Sequence, residues 1–456
     1  MTGSQKKITL IGAGLNGPLL AILLRQRGFG VELFERRPDM RRVPIRAGRS
    51  INLALSTRGI HALHQAGVWR RMIAIIIPMR CRMMHSKIGE LTVQPYGKDE
   101  SEVINSISRA ELNIALMNAA EEQGAVFHFN RRCTGYDVKA GSLLLRNEET
   151  GEEDSTRDAG IIIACDGSAS AIRAEMLKLS RFNFSQQYLD YGYKELTIPA
   201  GIHGRHQLET HALHIWPRGN YMLIALPNID GTFACILFLP FEGADSFARL
   251  NSETTIMEFF ESRFPDAVPL MPQLLENYFA NPTGSMVTIK CSPWHVEGRT
   301  LLLGDAAHAI VPFFGQGINC GFEDCTCLVD LLDRHGADWP QVFAEFEEQR
   351  KINTDAIADM AIENFTEMRD RVADARFLFR KKVELALEAK YPDLFVPKYA
   401  MVTFHRVPYS VALTRGAIQD RMLGELCDSI DRIEDLDWKK ADQLIHRELS
   451  PLEISG

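Results

Sequence analysis

No run in this chain approaches the ~18–20 consecutive apolar residues that a bilayer-spanning helix requires. The most apolar stretch, MIAIIIPM at 72–79, is far shorter. No secretory leader precedes the first apolar segment in MTGSQKKITLIGAG, and the C-terminal stretch DLDWKKADQLIHRELSPLEISG is polar. These absences lead us to expect a cytoplasmic protein without a membrane anchor, its nine cysteines unpaired in a reducing compartment. Cys320, Cys325 and Cys327 fall on one expected helix with no second ligand pair, so they read as small core residues and no metal is expected. Basic excess is missing too. A net charge of −8 argues against an electrostatic nucleic-acid binder. There is no internal repeat, no low-complexity segment, and no nucleophile–base set that stands out.

What remains is a chain of 456 residues, 46% hydrophobic and 24% charged, able to bury a large core. KKITLIGAG stops an apolar run at glycine, an apolar helix ends at Arg27-Gly28, and GVELFERR follows as a second strand, which makes a β–α–β unit. ISRAELNIALMNAAEEQGAVFHFN reads as a helix capped by Gly124 and then a strand; RDAGIIIACDGSASAIRAEM reads as strand, turn and helix. Such alternation predicts a parallel sheet covered by helices. The middle differs: HALHIWPRGNYMLIALPNIDGTFACILFLP holds three apolar strands separated by RGN and IDG turns. With GYKELTIPA and SMVTIKCSPWHV it predicts an antiparallel sheet inserted into the nucleotide domain. GRTLLLGDAAH returns to the first pattern, and the chain is mostly helical from about Trp339.

Gly12, Gly14 and Gly17 form G-x-G-x-x-G between a strand and a helix. The first glycine permits the tight turn, the second lets backbone N–H groups approach a pyrophosphate, and the third lets helix and strand pack closely. Glu35 stands about 20 positions on, where a carboxylate accepts from ribose hydroxyls, so a dinucleotide with an unphosphorylated ribose is expected. A second glycine-rich turn lies far away in GDAAHAIVPFFGQGINCGFEDC, again running into a helix, the usual way to present N–H groups to an anion. On GDAAH alone, Asp305 is either a helix N-cap or a ligand-binding carboxylate.

GAGLNG, CDGSASAIR and LLLGDAAHAIVPFFGQGINCGFED occur in the order and at roughly the spacing of single-component flavin-dependent aromatic hydroxylases, and the chain resembles that family. RSINLALSTRG, QPYGKDESEVINSISR, ALHIWPRGNYMLIALPN, MAIENFTEM and PKYAMVTFHRVPY narrow the resemblance to its kynurenine 3-monooxygenase branch, over nearly the whole length. The resemblance implies one tightly bound FAD spanning both turns. Its ADP half would lie on Gly12, Gly14, Gly17, Glu35 and Arg36. Its flavin end would lie against Ala54, Arg109, Asp305 and the helix opening at Gly317, Ile318 and Asn319. Asp166, Gly167 and Arg173 match a motif linked to the FAD pyrophosphate and to transient NADPH binding. It further implies hydroxylation of L-kynurenine to 3-hydroxykynurenine with NADPH and O2 through a C4a-hydroperoxyflavin, with no protein residue as catalytic acid or base; His308 reads as structural.

For the substrate, the resemblance assigns Arg82 and Tyr96 to the kynurenine carboxylate, joined by Asn364 and Tyr399, with Phe314 and Met368 walling the ring. Taken alone, Arg82 reads as a surface residue. Asn364 lies on the stripe Ile357, Met360, Ala361, Asn364, Met368, where its amide needs either a backbone carbonyl or a ligand. Some bacterial members carry histidine at the position of Phe314, and eukaryotic members carry a C-terminal hydrophobic anchor that this chain does not show. The expected fold is a discontinuous Rossmann-like α/β domain (1–70, 101–182, 297–338) with substrate-domain strands at 71–100, an inserted antiparallel sheet at 183–296 and a helical region at 339–456. Two other readings stay open. One is a related flavin hydroxylase of a phenol or other small aromatic; the other is a non-catalytic FAD-binding sensor.

Overall fold

The computed structural model describes residues 7–43, 52–156, 159–370 and 375–452, the side chains of 368–370 and 375 excepted. These residues fall into two compact units. The first draws on the described residues within 1–76, 107–189 and 285–358; the second on those within 77–106, 190–284 and 359–456.

The first unit is built on a six-stranded sheet in the order His295–Val296, Thr300–Leu302, Ile161–Ala164, Lys7–Ile11, Gly30–Phe34, Val126–His128. All neighbours run parallel except the first pair. The strands read as continuous apolar runs because helices cover a parallel sheet on both faces; Ile8, Leu10, Leu33, Ile162, Ile163 and Leu301 have no exposed surface. Helix Asn16–Gln26 follows the first strand, and its row from Gly17 to Leu24 is buried. Gly28, at φ +80°, reverses the chain into the second strand. Helix Arg109–Glu122 is capped by the Ser108 hydroxyl, and Gly124, at φ +85°, ends it. A small antiparallel ladder, Arg131–Asp137, Ser142–Asn147 and Glu153–Thr156, adds to the expected α/β pattern.

Parallel strands share one C-terminal edge, and this decides where the motifs land. Gly12 follows Lys7–Ile11, Glu35 follows Gly30–Phe34, Asp166 follows Ile161–Ala164, and Gly304-Asp305 follows Thr300–Leu302. Backbone bonds continue the ladder past that edge, from Gly12 N to Phe34 O (2.8 Å), Cys165 N to Ile11 O (2.8 Å) and Leu303 N to Ala164 O (3.0 Å).

In the second unit, Ala212–Pro217, Met222–Pro227 and Phe233–Pro240 form the expected meander, turned by Gly219 and Gly231 at positive φ. The long strand Asn183–Ile198 joins it through Tyr191–Ile198. One pairing departs from the antiparallel expectation: Cys81–His85 runs parallel to Ala212–Pro217, with Leu91–Pro95 antiparallel beyond it. A parallel neighbour is possible because more than a hundred residues separate the two strands, ample for a crossover. One sheet face packs Trp216, Leu237, Phe260 and Phe264 with helices Glu253–Arg263 and Leu274–Ala280. A separate core around Val383, Phe395, Leu423 and Ile445 joins the C-terminal helices. No described helix is long and apolar enough to cross a membrane.

Candidate functional site

The first glycine turn separates what the fold needs from what it leaves open. A Cβ on Gly12 (φ +97°) would come within 2.5 Å of Cys165 O, and one on Gly17 within 2.2 Å of Gly12 O. Both glycines are therefore required by the protein's own packing. A Cβ on Gly14 would meet nothing within 4 Å, and the same holds for Gly317. Glu35 is 5% exposed, and its carboxylate accepts from Ala13 N (2.8 Å), Arg37 N (3.0 Å) and Arg37 Nε (2.8 Å). Burial raises its pKa, but Arg37 and the Ala13 N–H outweigh that and hold it below the ordinary value. Arg36 is exposed; the cation that pairs with Glu35 is its neighbour Arg37, which the sequence reading passed over.

The two glycine turns, almost three hundred residues apart, meet at Asn16. A Cβ on Gly304 would lie 2.1 Å from Asn16 Nδ2, and one on Gly321 2.5 Å from it. The asparagine inside GAGLNG is thus a wedge that glycines on the second turn are there to admit. Gly304, at φ 64°, opens the short helix Asp305–His308 and caps it without a side chain, so Asp305 is not an N-cap. Asp305 is exposed at its surface yet surrounded by enough protein for desolvation to raise its carboxyl pKa, while Arg109 pulls the other way. Arg109 itself is exposed.

Asn319, fully buried, ties the turn to another expected contact. Its Oδ1 accepts from Ser56 N (2.9 Å), and its Nδ2 donates to Ala54 O (2.8 Å) and Gly315 O (2.9 Å). Ala54 and the Gly317, Ile318, Asn319 helix start are therefore brought together. Phe314 is buried on the 3₁₀ turn Pro312–Phe314, ahead of Gly315 at φ +66°. In CDGSASAIR, Asp166 Oδ2 accepts from Ala171 N (2.8 Å), whereas Oδ1 is buried without a partner, and burial raises the group's pKa. Gly167 turns at φ +83° beside it. Arg173 is spent on backbone carbonyls of Ala306 (2.6 Å) and Ser168.

His308 is structural in a specific sense. Its Nε2 lies 2.6 Å from Asp324 Oδ2, which also accepts from Gly304 N (3.1 Å), while Asp324 Oδ1 accepts from Arg350 Nε (2.7 Å). Burial lowers the histidine's pKa, but Asp324 reverses this and lifts it to about 10, so it is an imidazolium at neutral pH. His308, Cys320 and Asp324 are close enough to suggest a metal site. The Arg350 guanidinium already contacts both Asp324 and Cys320, and it fills that role with charge instead. Cys320 and Cys325 are buried, and Cys327 is half-buried.

In the second unit Arg82, on strand Cys81–His85, lies with its Cζ 5.2 Å from the Tyr96 ring centre and 4.8 Å from that of Tyr399. The two rings are near-parallel, 6.1 Å apart. Its Nε is buried and makes no hydrogen bond. Burial lowers the guanidinium's pKa, yet the Tyr399 and Tyr96 hydroxyls outweigh it, so the cation is retained. Burial raises the Tyr96 hydroxyl well above its ordinary value. This is a desolvated cation flanked by aromatic walls, which suits a planar anion bound through two parallel hydrogen bonds. The surface reading of Arg82 is set aside by this geometry. Asn364 is buried on helix Trp339–Asp370, on the expected stripe with Ile357, Met360 and Ala361. The side chain of Met368 lies outside the described residues. Glu367 and Lys381 also stand in this neighbourhood, where Glu367 acts on both cations; Glu367 falls within MAIENFTEM without a role assigned to it there, and Lys381 lies in no motif.

These observations fit a dinucleotide such as FAD in the first unit. Gly14 and Gly317 leave open space, Asp166 holds an orphaned buried acceptor, and a 19-residue helix begins at Gly317. The FAD binding domain family model matches residues 5–222 and 281–351. The chain is 54% identical to the kynurenine 3-monooxygenase of Myxococcus xanthus (strain DK1622), covering 97% of this chain and 96% of that protein. It is 47% identical to the enzyme of the same name from Xanthomonas oryzae pv. oryzae (strain MAFF 311018), covering 99% and 98%. Among solved structures, tetrameric 2-methyl-3-hydroxypyridine-5-carboxylic acid oxygenase superposes with a TM-score of 0.67 at 20% identity, over 83% of this chain and 96% of that one. The sheet order, the glycine turns and near-full-length similarity agree: the chain belongs to the kynurenine 3-monooxygenase family of FAD-binding hydroxylases.

Proposed function

We propose that this protein is an FAD-dependent monooxygenase that uses NADPH and O2 to hydroxylate L-kynurenine to 3-hydroxykynurenine. Similarity at 54% identity over 97% of the chain to a protein of that activity carries the reading. Half-buried Arg82, whose buried Nε makes no hydrogen bond, supplies its physical counterpart on the substrate side. Bound FAD, reduced by NADPH, supplies the oxygen activation, and the chain supplies orientation and dryness.

The first unit is proposed as the cofactor unit. Gly12, Gly14, Gly17 and Glu35 would hold the ADP half, with Arg37 orienting the Glu35 carboxylate. Asp166 Oδ1 would accept a hydrogen bond that the protein itself leaves unmade. Asp305 and Arg109 would flank the flavin end, and the N–H groups of Gly317, Ile318 and Asn319 would favour negative charge there by about 0.3–1 kcal/mol. The second unit is proposed as the carboxylate anchor, with Arg82 as the charge and Tyr96, Asn364 and Tyr399 as hydrogen-bonding partners. All nine cysteines are free thiols, which supports a reducing, cytoplasmic setting.

The test is a panel of kynurenine, phenols and other small aromatics given to purified holoenzyme with NADPH, following NADPH loss, peroxide and product mass. Kynurenine should yield a product heavier by one oxygen. Turnover of a phenol but not kynurenine refutes the substrate, and substrate-independent, negligible NADPH oxidation refutes catalysis. Arg82→Ala should raise the KM for kynurenine by about 10–100-fold, the loss of one charge-assisted contact, while FAD stays bound.

A further inference from the structure

The strand that carries Arg82 ends in a row of hydrogen bonds whose protons do not add up for neutral side chains. His85 Nδ1 lies 2.8 Å from Asp266 Oδ2, and its Nε2 lies 2.9 Å from His214 Nδ1. His214 Nε2 lies 2.9 Å from the Glu209 carbonyl oxygen, and Trp216 Nε1 donates to Asp266 Oδ2 at 2.8 Å. A carbonyl only accepts, so His214 Nε2 carries a hydrogen. An indole only donates, so it gives Asp266 no help in holding a second partner's lone pair. Two junctions remain, His214–His85 and His85–Asp266, and each needs one hydrogen. Two neutral imidazoles have two N–H groups between them, and one is already spent on Glu209. The row is closed only when it holds one further proton, at His85 Nδ1 or on the Asp266 carboxyl. Without that proton, two lone pairs oppose each other at hydrogen-bond distance in the interior, since His85 and His214 are 3% and 2% exposed.

The surroundings place the charge at His85 and Asp266. Burial drives the pKa of His214 down to about 4. Burial also pushes Asp266 up, but the bonds from His85 and Trp216 outweigh it and keep its carboxyl below the ordinary value. The His85 ring is stacked on Trp216, with centroids 3.9 Å apart. The other charged groups facing the row are Glu209, which acts on His214, and Arg218, which acts on Asp266 and donates to the backbone oxygens of His85 (3.0 Å) and Ser86 (3.3 Å). His85 lies three residues past Arg82 on the same strand. Alternation along a strand puts it on the opposite face, toward the core that contains Trp216 and Phe264.

We propose that His85 is a positioning residue for the substrate anchor: the proton it shares with Asp266 clamps the end of the Cys81–His85 strand and thereby holds Arg82 in its binding geometry. The inference rests on the reading of Arg82 as the carboxylate anchor. Breaking the His85–Asp266 junction loosens the strand end. Affinity for a carboxylate substrate then falls, while the chemistry after binding is unaffected.

The experiment uses holoenzyme and two variants, His85→Gln and Asp266→Asn, with 15N-histidine spectra of the parent. The parent should show both His85 nitrogens protonated near neutral pH and His214 as the Nε2–H form. Each variant should raise KM about tenfold near neutral pH, the scale of a lost buried hydrogen bond, with kcat within about twofold and FAD content unchanged. Two neutral rings in the parent spectra overturn the proposal, and they do so even if neither variant folds. A folded, FAD-loaded His85→Gln with the parental KM also overturns it. An Arg82→Ala variant separates the two readings. If it raises KM while the His85 and Asp266 variants do not, the clamp alone is wrong; if it leaves KM unchanged, the anchor itself is wrong and the clamp falls with it.

Discussion

Replacing Asp324 by asparagine removes one of two negative charges from a buried cluster holding three cations. Asp324 is fully buried and bonded to Gly304 N, His308 and Arg350, while Glu323 pairs with Arg58 and with Arg350 at 2.6 Å. Two routes give the size of the effect. Removing one partner of a buried ion pair costs about 3–5 kcal/mol, because the remaining charge is left uncompensated. Independently, His308 is lifted from 6.5 to about 10, largely by Asp324 acting against burial. At about 1.4 kcal/mol per pKa unit, that is roughly 5 kcal/mol of interaction. The sign follows from linkage: a histidine with a raised folded pKa contributes fully below its unfolded pKa near 6.5, and the contribution is lost as pH climbs through about 10. Urea unfolding of the apoprotein should therefore show Asp324→Asn destabilised by about 3–5 kcal/mol near pH 7. The parent should lose stability from about pH 6.5 to 10, and the variant should lack that decline. Because Asp324 also anchors the Gly304 N–H just ahead of Asp305, FAD affinity should fall as well. A variant within about 1 kcal/mol of the parent at pH 7, with the same decline toward pH 10, refutes the ion-pair account.

Two further outcomes follow from local geometry. Gly17→Ala drives a Cβ to 2.2 Å from Gly12 O and should destabilise the apoprotein by about 1–3 kcal/mol in thermal or denaturant melts. Gly14→Ala meets no protein atom, so it should leave the apoprotein melt unchanged and lower FAD affinity in fluorescence titration. Equal apoprotein destabilisation by both would contradict the assignment of Gly14 to ligand space. Glu388 is buried and its pKa is pushed up to about 7, by burial first and by Glu102 second. Its ionisation therefore costs stability as pH rises from about 4.5 to 7, and Glu388→Gln should gain about 1–3 kcal/mol near pH 8 with no gain near pH 4. A gain of the same size at both pH values would exclude titration as its origin.

The α/β pattern, the meander and both glycine turns were legible because each is written in neighbouring residues: apolar period, a glycine at a required φ, a turn between strands. The stripe carrying Asn364 was legible for the same reason, since helical periodicity reports burial without a partner being known. Other features were not. Arg36 and Arg37 cannot be told apart until the chain's direction after Gly30–Phe34 sends one out and the other back to Glu35. Arg82 reads as an ordinary surface arginine until Tyr96 and Tyr399, the latter more than three hundred residues away, close on it. The parallel pairing of Cys81–His85 with Ala212–Pro217 has no local signature, and the His85–His214 bond depends on it.

By itself, then, the sequence determined which segments become strands and helices and which turns can present N–H groups to an anion. Tertiary structure decided that Asn16 joins the two turns, that Asp324 and Arg350 neutralise one another around His308, and that a guanidinium with an unpaired buried Nε lies against two tyrosine rings. The physical reason is range. Backbone conformation and burial periodicity are set by near neighbours, whereas desolvation and charge pairing depend on groups that only folding brings within a few ångströms of each other.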